Sequence, residues 1–106
     1  MNRSTAREIA IQLCFAGANG KLSADELLDS FFAEEHYASL AAEDELYSEY
    51  PDDKQMDYIR TCVTGVCEHA EELDALIAQY AVRWNLHRIS RLTKAAMRLA
   101  IYEMRY

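Results

Sequence analysis

Residues 84–106 read WNLHRISRLTKAAMRLAIYEMRY, a basic turn feeding an amphipathic helix. Ser90 and Thr93 are both N-cap candidates, because a hydroxyl at that place accepts a hydrogen bond from an orphan amide of the first turn. With Thr93 as the cap, Leu92 and Met97 take the two places of a hydrophobic staple. Ala96, Leu99, Ala100 and Glu103 follow one line at helical spacing, and Met97, Ile101 and Met104 follow a neighbouring line. An apolar arc this wide expects packing on two sides. Trp84 is expected to anchor the junction that leads into it.

The rest of the chain supports the helical reading. One Pro and three Gly in 106 residues leave little room for the tight turns of a sandwich or barrel. A hydrophobic fraction of 51% suits a globular core. The class is therefore all-α, in one domain over residues 1–106. No run approaches the roughly 18 apolar residues of a membrane span, and the N-terminal residues lack a secretory apolar region, so a cytoplasmic protein without membrane contact is expected.

Upstream, the helix starts are marked by local chemistry. Thr5 and Glu8 have the spacing of a capping box that opens a first helix with Ala6, Ile9, Ala10, Leu13 and Ala16 on one face. Ser23 and Glu26 repeat the pattern ahead of Leu27, Leu28, Phe31 and Phe32. Residues 34–53 are acidic and carry several tyrosines, and an irregular helical turn is expected there, ended by Pro51. Asp52 or Asp53 caps a further helix holding Met56, Ile59, Val63 and Val66, in which Gly65 allows a neighbour's close approach. A last pattern of Leu73, Ile77, Tyr80 and Trp84 requires a break between residues 69 and 72, giving about five helices in all.

Chemistry-bearing residues are few. Cys14, Cys62 and Cys67 are an odd number, which argues against a disulfide framework and for reduced, buried thiols. Cys62 and Cys67 point about 140° apart on a helix and make a poor metal pair. His36, His69 and His87 stand at no ligand or triad spacing, and the acids at 43–45 have no positioned partner. No catalytic site, metal or cofactor is expected.

The net charge of −7 is unevenly spread. Apart from Glu8 and Glu103, every acid lies between Asp25 and Asp74, whereas Arg83, Arg88, Arg91, Lys94, Arg98 and Arg105 cluster late, with Arg3 and Arg7 at the start. A nucleic acid responds to such local charge within a Debye length of roughly 8–10 Å. Arg3 and Arg7, one turn apart, also oppose the helix macrodipole unless an anion sits nearby.

These residues resemble the NusB family. Ala6-Arg7-Glu8 with Ala10, Gln12 and Phe15 is similar to the family's first-helix pattern. Tyr58-Ile59, Val63, Gly65-Val66, Leu73-Asp74, Ile77 and Tyr80 form a second match. Trp84, Leu86, Arg88-Ile89, Leu92 and the run from Met97 through Leu99, Ile101 and Tyr102 to Glu103 form a third. The resemblance implies a non-catalytic, all-helical RNA-binding adaptor of transcription antitermination that binds boxA-type ribosomal RNA together with the ribosomal protein NusE. It implies RNA contacts from Arg3, Arg7 and Tyr80, and partner contacts near Phe15 and Thr93.

Three departures carry their own expectations. Only two arginines stand where the family has a longer cluster, so the electrostatic part of RNA affinity is expected to be weaker. Thr93 replaces an acid. The last two family helices, with their F-V-N-G motif, have no counterpart, so a homo-oligomer covering the exposed faces of the first and last helices is expected. The alternatives are the N-terminal RNA-binding module of a ribosomal RNA cytosine methyltransferase, or a helical interaction module that has lost RNA binding.

Overall fold

Asn2, rather than Thr5, starts the first helix. In the computed structural model, which describes residues 2–18, 22–80 and 90–106, and of Tyr80 the backbone alone, the Asn2 side chain accepts from the Thr5 amide at 2.8 Å. The helix α1 (Arg3–Gly17) therefore includes Thr5 in its first turns. A better-placed Asx cap three residues upstream satisfies the same orphan donors, which displaces the Thr5 capping box. One face of α1 buries Ala6, Ile9, Ala10, Leu13 and Cys14.

Ser23 caps α2 (Ala24–Phe31) as its local pattern predicts, accepting from the Glu26 amide at 3.2 Å. The acidic stretch that follows is more regular than expected. It forms the ten-residue helix α3 (Glu34–Glu43) and a short 3-10 turn, Glu45–Tyr47. Only Tyr37 of α3 is buried, so the sequence offers almost no apolar period to read, while Ala and Glu still favour the helix. An aromatic layer fixes this lobe: Phe32 stacks on Tyr37 with centroids 5.6 Å apart, and Tyr50 meets Tyr37 edge-on at 5.2 Å. The Tyr37 hydroxyl donates to the Glu49 carbonyl at 2.7 Å, and burial pushes this phenol up to about 12.

Asp52 begins α4 (Asp53–Glu68) with a complete capping box. It accepts from the Gln55 amide at 2.8 Å while the Gln55 side chain accepts from the Asp52 amide at 3.2 Å. The helix stops at His69 and α5 (Ala70–Tyr80) starts at once, within the predicted break. Ser90 caps α6 (Arg91–Arg105), accepting from the Thr93 amide at 3.1 Å. Since Thr93 is not the cap, the staple of Leu92 and Met97 loses its geometry, and Leu92 is exposed. The expected anchor Trp84 lies outside the described residues. Among them are six α-helices, one more than the pattern predicts, and no strand.

The helix α1 is the hub, packed against α4, α6 and α2. In turn α6 lies against α1, α4 and α5, so the two packing sides implied by its apolar arc are both occupied within this chain. Ile9, Leu13, Leu28, Ile59, Val63, Leu73 and Leu99 are fully buried at these contacts. Each contributes about 1.5–3 kcal/mol of burial. Gly65 meets the expectation of close approach: a Cβ at that place would overlap the Tyr102 ring of α6. Tyr102 continues into a stack with Tyr106 and His69, centroids 5.2 and 6.3 Å away.

Candidate nucleic-acid interface

The start of α1 carries no acidic residue, yet it bears Arg3 and Arg7. Their charges oppose the helix dipole, and the compensating anion comes from a residue distant in sequence. Arg7 Nε donates to Glu103 Oε1 of α6 at 2.8 Å. The other carboxylate oxygen, Oε2, accepts from the Tyr58 hydroxyl of α4 at 3.0 Å. The Arg3 guanidinium in turn lies over the Tyr58 ring, its Cζ 4.0 Å from the centroid, a cation–π contact. Burial, the neighbouring Cys62 and the bond to Glu103 all push the Tyr58 phenol upward, which keeps it a donor. Three helices thus meet in one relay, from Arg7 through Glu103 and Tyr58 to Arg3.

A second basic surface lies where the C-terminal part of α1 meets the start of α6. Phe15, Ala16, Ala18, Arg91, Lys94 and Arg98 line a groove of about 450 Å³. Phe15 is 40% exposed there. Arg98 is only 14% exposed, and it grips Asp74 of α5 with two bonds of 2.6 Å. Lys94 lies 3.8 Å from the same carboxylate. Arg91 has no ion-pair partner among the described residues. Thr93 is exposed, and its hydroxyl accepts from Ser90 at 2.8 Å, so its polar group already serves the helix start.

The residues singled out from sequence therefore fall into two groups rather than one site. Arg3 and Arg7 stand towards one end of α1 and Phe15 at the other, about 18 and 12 Å away along a helix rising about 1.5 Å per residue. Tyr80 closes α5, and its side chain lies outside the described residues, as do Arg83 and Arg88. Sequence reading gave no role to Tyr58 or to Glu103. Both stand inside the family-like patterns, but nothing local links positions 45 residues apart.

Of the three thiols, Cys14 and Cys62 are buried as expected, whereas Cys67 is exposed. Burial pushes Cys14 up to about 12. Among the described residues no group of three or more His, Cys, Asp or Glu side chains is placed to hold a metal ion. No described helix is long and apolar enough to cross a membrane.

Comparison with known proteins finds relatives along the whole chain. The chain is 36% identical over 106 residues to the transcription antitermination protein NusB of Carboxydothermus hydrogenoformans, covering all of this chain and 67% of the relative. The proteins of the same name from Desulforamulus reducens and Bacillus subtilis are 35% and 32% identical over 106 residues. The chain covers 64% and 67% of their lengths, so it spans about two thirds of the curated relatives it matches. No solved structure matches the chain. The family model described as "NusB family" matches residues 4–106, which take in Arg7, Tyr58 and Glu103 but not Arg3, and the chain belongs to the NusB family.

Proposed function

We propose that this chain is a non-catalytic, cytoplasmic RNA-binding adaptor of transcription antitermination, engaging boxA-type ribosomal RNA together with the ribosomal protein NusE. The observation that carries the reading is the pair Arg3 and Arg7, which presents two guanidinium groups on the first turns of one helix beside an aromatic ring. Guanidinium forks suit phosphate oxygens, and rings suit unstacked bases. Tyr80 is assigned to the RNA side by the family pattern. The Phe15 groove, with Thr93 nearby on α6, is assigned to NusE: an exposed ring beside cations is the kind of anchor protein partners use.

Fluorescence anisotropy with a boxA-type RNA, with and without NusE, tests the reading at about 50 and 200 mM salt. Salt-dependent binding that strengthens with NusE is expected. Absence of binding at both salts overturns the RNA role and leaves a helical interaction module. Met104, at the end of the line from Met97 and Ile101, is 81% exposed and supports self-association as a further element of the proposal. Sedimentation at micromolar concentration tests it, and a monodisperse monomer refutes it.

A further inference from the structure

The Arg7–Glu103–Tyr58–Arg3 relay contains a carboxylate at the centre of a surface proposed to bind a polyanion. A carboxylate there has two opposite consequences. It competes with phosphate for Arg7, or it holds Arg7 in the geometry that phosphate needs. The hydrogen bonds decide between them. Glu103 takes only the Nε–H of Arg7, at 2.8 Å, and no hydrogen bond from either terminal nitrogen of Arg7 to a described residue is seen. Its second oxygen is committed to Tyr58 at 3.0 Å, so the carboxylate is fixed from two sides. The Tyr58 ring meanwhile supports the flat face of Arg3, which leaves the N–H groups at the edge of that guanidinium directed along its plane.

We infer that Glu103 and Tyr58 are positioning residues, which hold Arg7 and Arg3 as a preassembled pair of forks for two phosphates of a single RNA strand. This inference rests on the RNA-binding reading above. Long arginine side chains are costly to order on binding, and groups already held by the fold avoid that cost. The two arginines lie about one helical turn apart, about 6 Å along the axis, so both forks can serve a single strand.

Charge and positioning predict opposite signs for one substitution. Glu103→Ala removes a negative charge, so simple electrostatics predicts tighter RNA binding. Positioning predicts a loss of about three- to tenfold and a fall of about 0.7 in the salt slope, the amount that one phosphate contact contributes on a single strand. The experiment is anisotropy of a fluorescein-labelled single-stranded RNA across a salt series. The variants are Glu103→Ala, Glu103→Gln, Tyr58→Phe and the double variant Arg3→Ala/Arg7→Ala, each with its thermal midpoint measured. Glu103→Gln keeps an acceptor for Arg7 Nε and is expected to restore most of the affinity. Tyr58→Phe keeps the platform for Arg3 and loses only the bond to Glu103, so a smaller loss is expected, and this variant carries the test if Glu103→Ala does not fold.

Equal or tighter binding by folded Glu103→Ala, with an unchanged salt slope, overturns the positioning role while leaving RNA binding intact. The same holds for Tyr58→Phe if it has to stand in. Unchanged binding by Arg3→Ala/Arg7→Ala overturns the RNA reading of this surface itself, and the positioning role with it.

Discussion

Gly65→Ala should destabilise this protein, although alanine is the better helix former. In an open helix interior the change gains about 1 kcal/mol, because glycine loses more backbone freedom on folding. Position 65 is buried in the last turns of α4, and the Cβ would overlap the ring of Tyr102. The ring is the far end of its side chain and could swing away, but it is held in a stack with Tyr106 and His69. Displacing it loses aromatic contacts of about 0.5–1.5 kcal/mol, and overpacking of a close helix contact costs about 1–3 kcal/mol. The net expectation is a loss of about 1–2 kcal/mol, read as a lower urea midpoint at constant m-value. A double-mutant cycle isolates the cause. In a Tyr102→Ala background the notch is empty, so Gly65→Ala should become stabilising by several tenths of a kcal/mol. If Gly65→Ala is neutral or stabilising with Tyr102 in place, the notch is not what draws α4 and α6 together.

Three further outcomes follow from the same contacts. Asp74→Asn removes the charge that Arg98 grips with two 2.6 Å bonds. A loss of about 1–2 kcal/mol is expected in chemical denaturation, limited by the partial exposure of the aspartate. The Tyr106 hydroxyl, then Arg105 and His69, hold the Glu72 carboxyl below its ordinary value of 4.5. A depressed acid contributes stability above its unfolded value and loses it as pH falls, so the thermal midpoint should drop on acidification below about pH 4.5, less steeply in Tyr106→Phe. Cys14 shows the opposite sign. Its thiol is raised from 9.0 to about 12, so the unfolded chain releases that proton first and stability should fall as pH rises above 9.0. The fall should be shallower in Cys14→Ala by urea titration, and in the parent protein alkylation should reach the exposed Cys67 before Cys14.

What could be read from sequence was what local rules govern. Ser23 and Asp52 cap their helices because a capping side chain and its amide are three residues apart and answer to nothing else. Thr5 and Thr93 had the same local credentials and lost to Asn2 and Ser90, each three residues earlier. A cap is a competition between neighbours, and composition alone does not rank them. The helix α3 was obscured because its one buried residue, Tyr37, packs against aromatics from Phe31 to Tyr50 rather than along an apolar stripe. At the candidate interface the arginines were legible as charge. Their partners were not, since the Arg7–Glu103 contact spans 96 residues and no period connects them. In the sequence Glu103 falls on one line with Ala96, Leu99 and Ala100, and helical spacing along α6 assigns its carboxylate no partner.

That 96-residue separation also orders events on the ribosome. At roughly 5–20 residues per second, α1 is made about 5–20 s before Glu103 exists to meet Arg7. During that interval α2 and then α4 become available to cover Ile9 and Leu13, while the side of α1 destined for α6 stays open to solvent. The nascent chain must carry its central helix unfinished until α6 arrives. Substitutions in α6 thus act on a step of folding later than the α1–α2–α4 contacts, and in cells their damage should register as recruitment of chaperones and aggregation before any helix is lost.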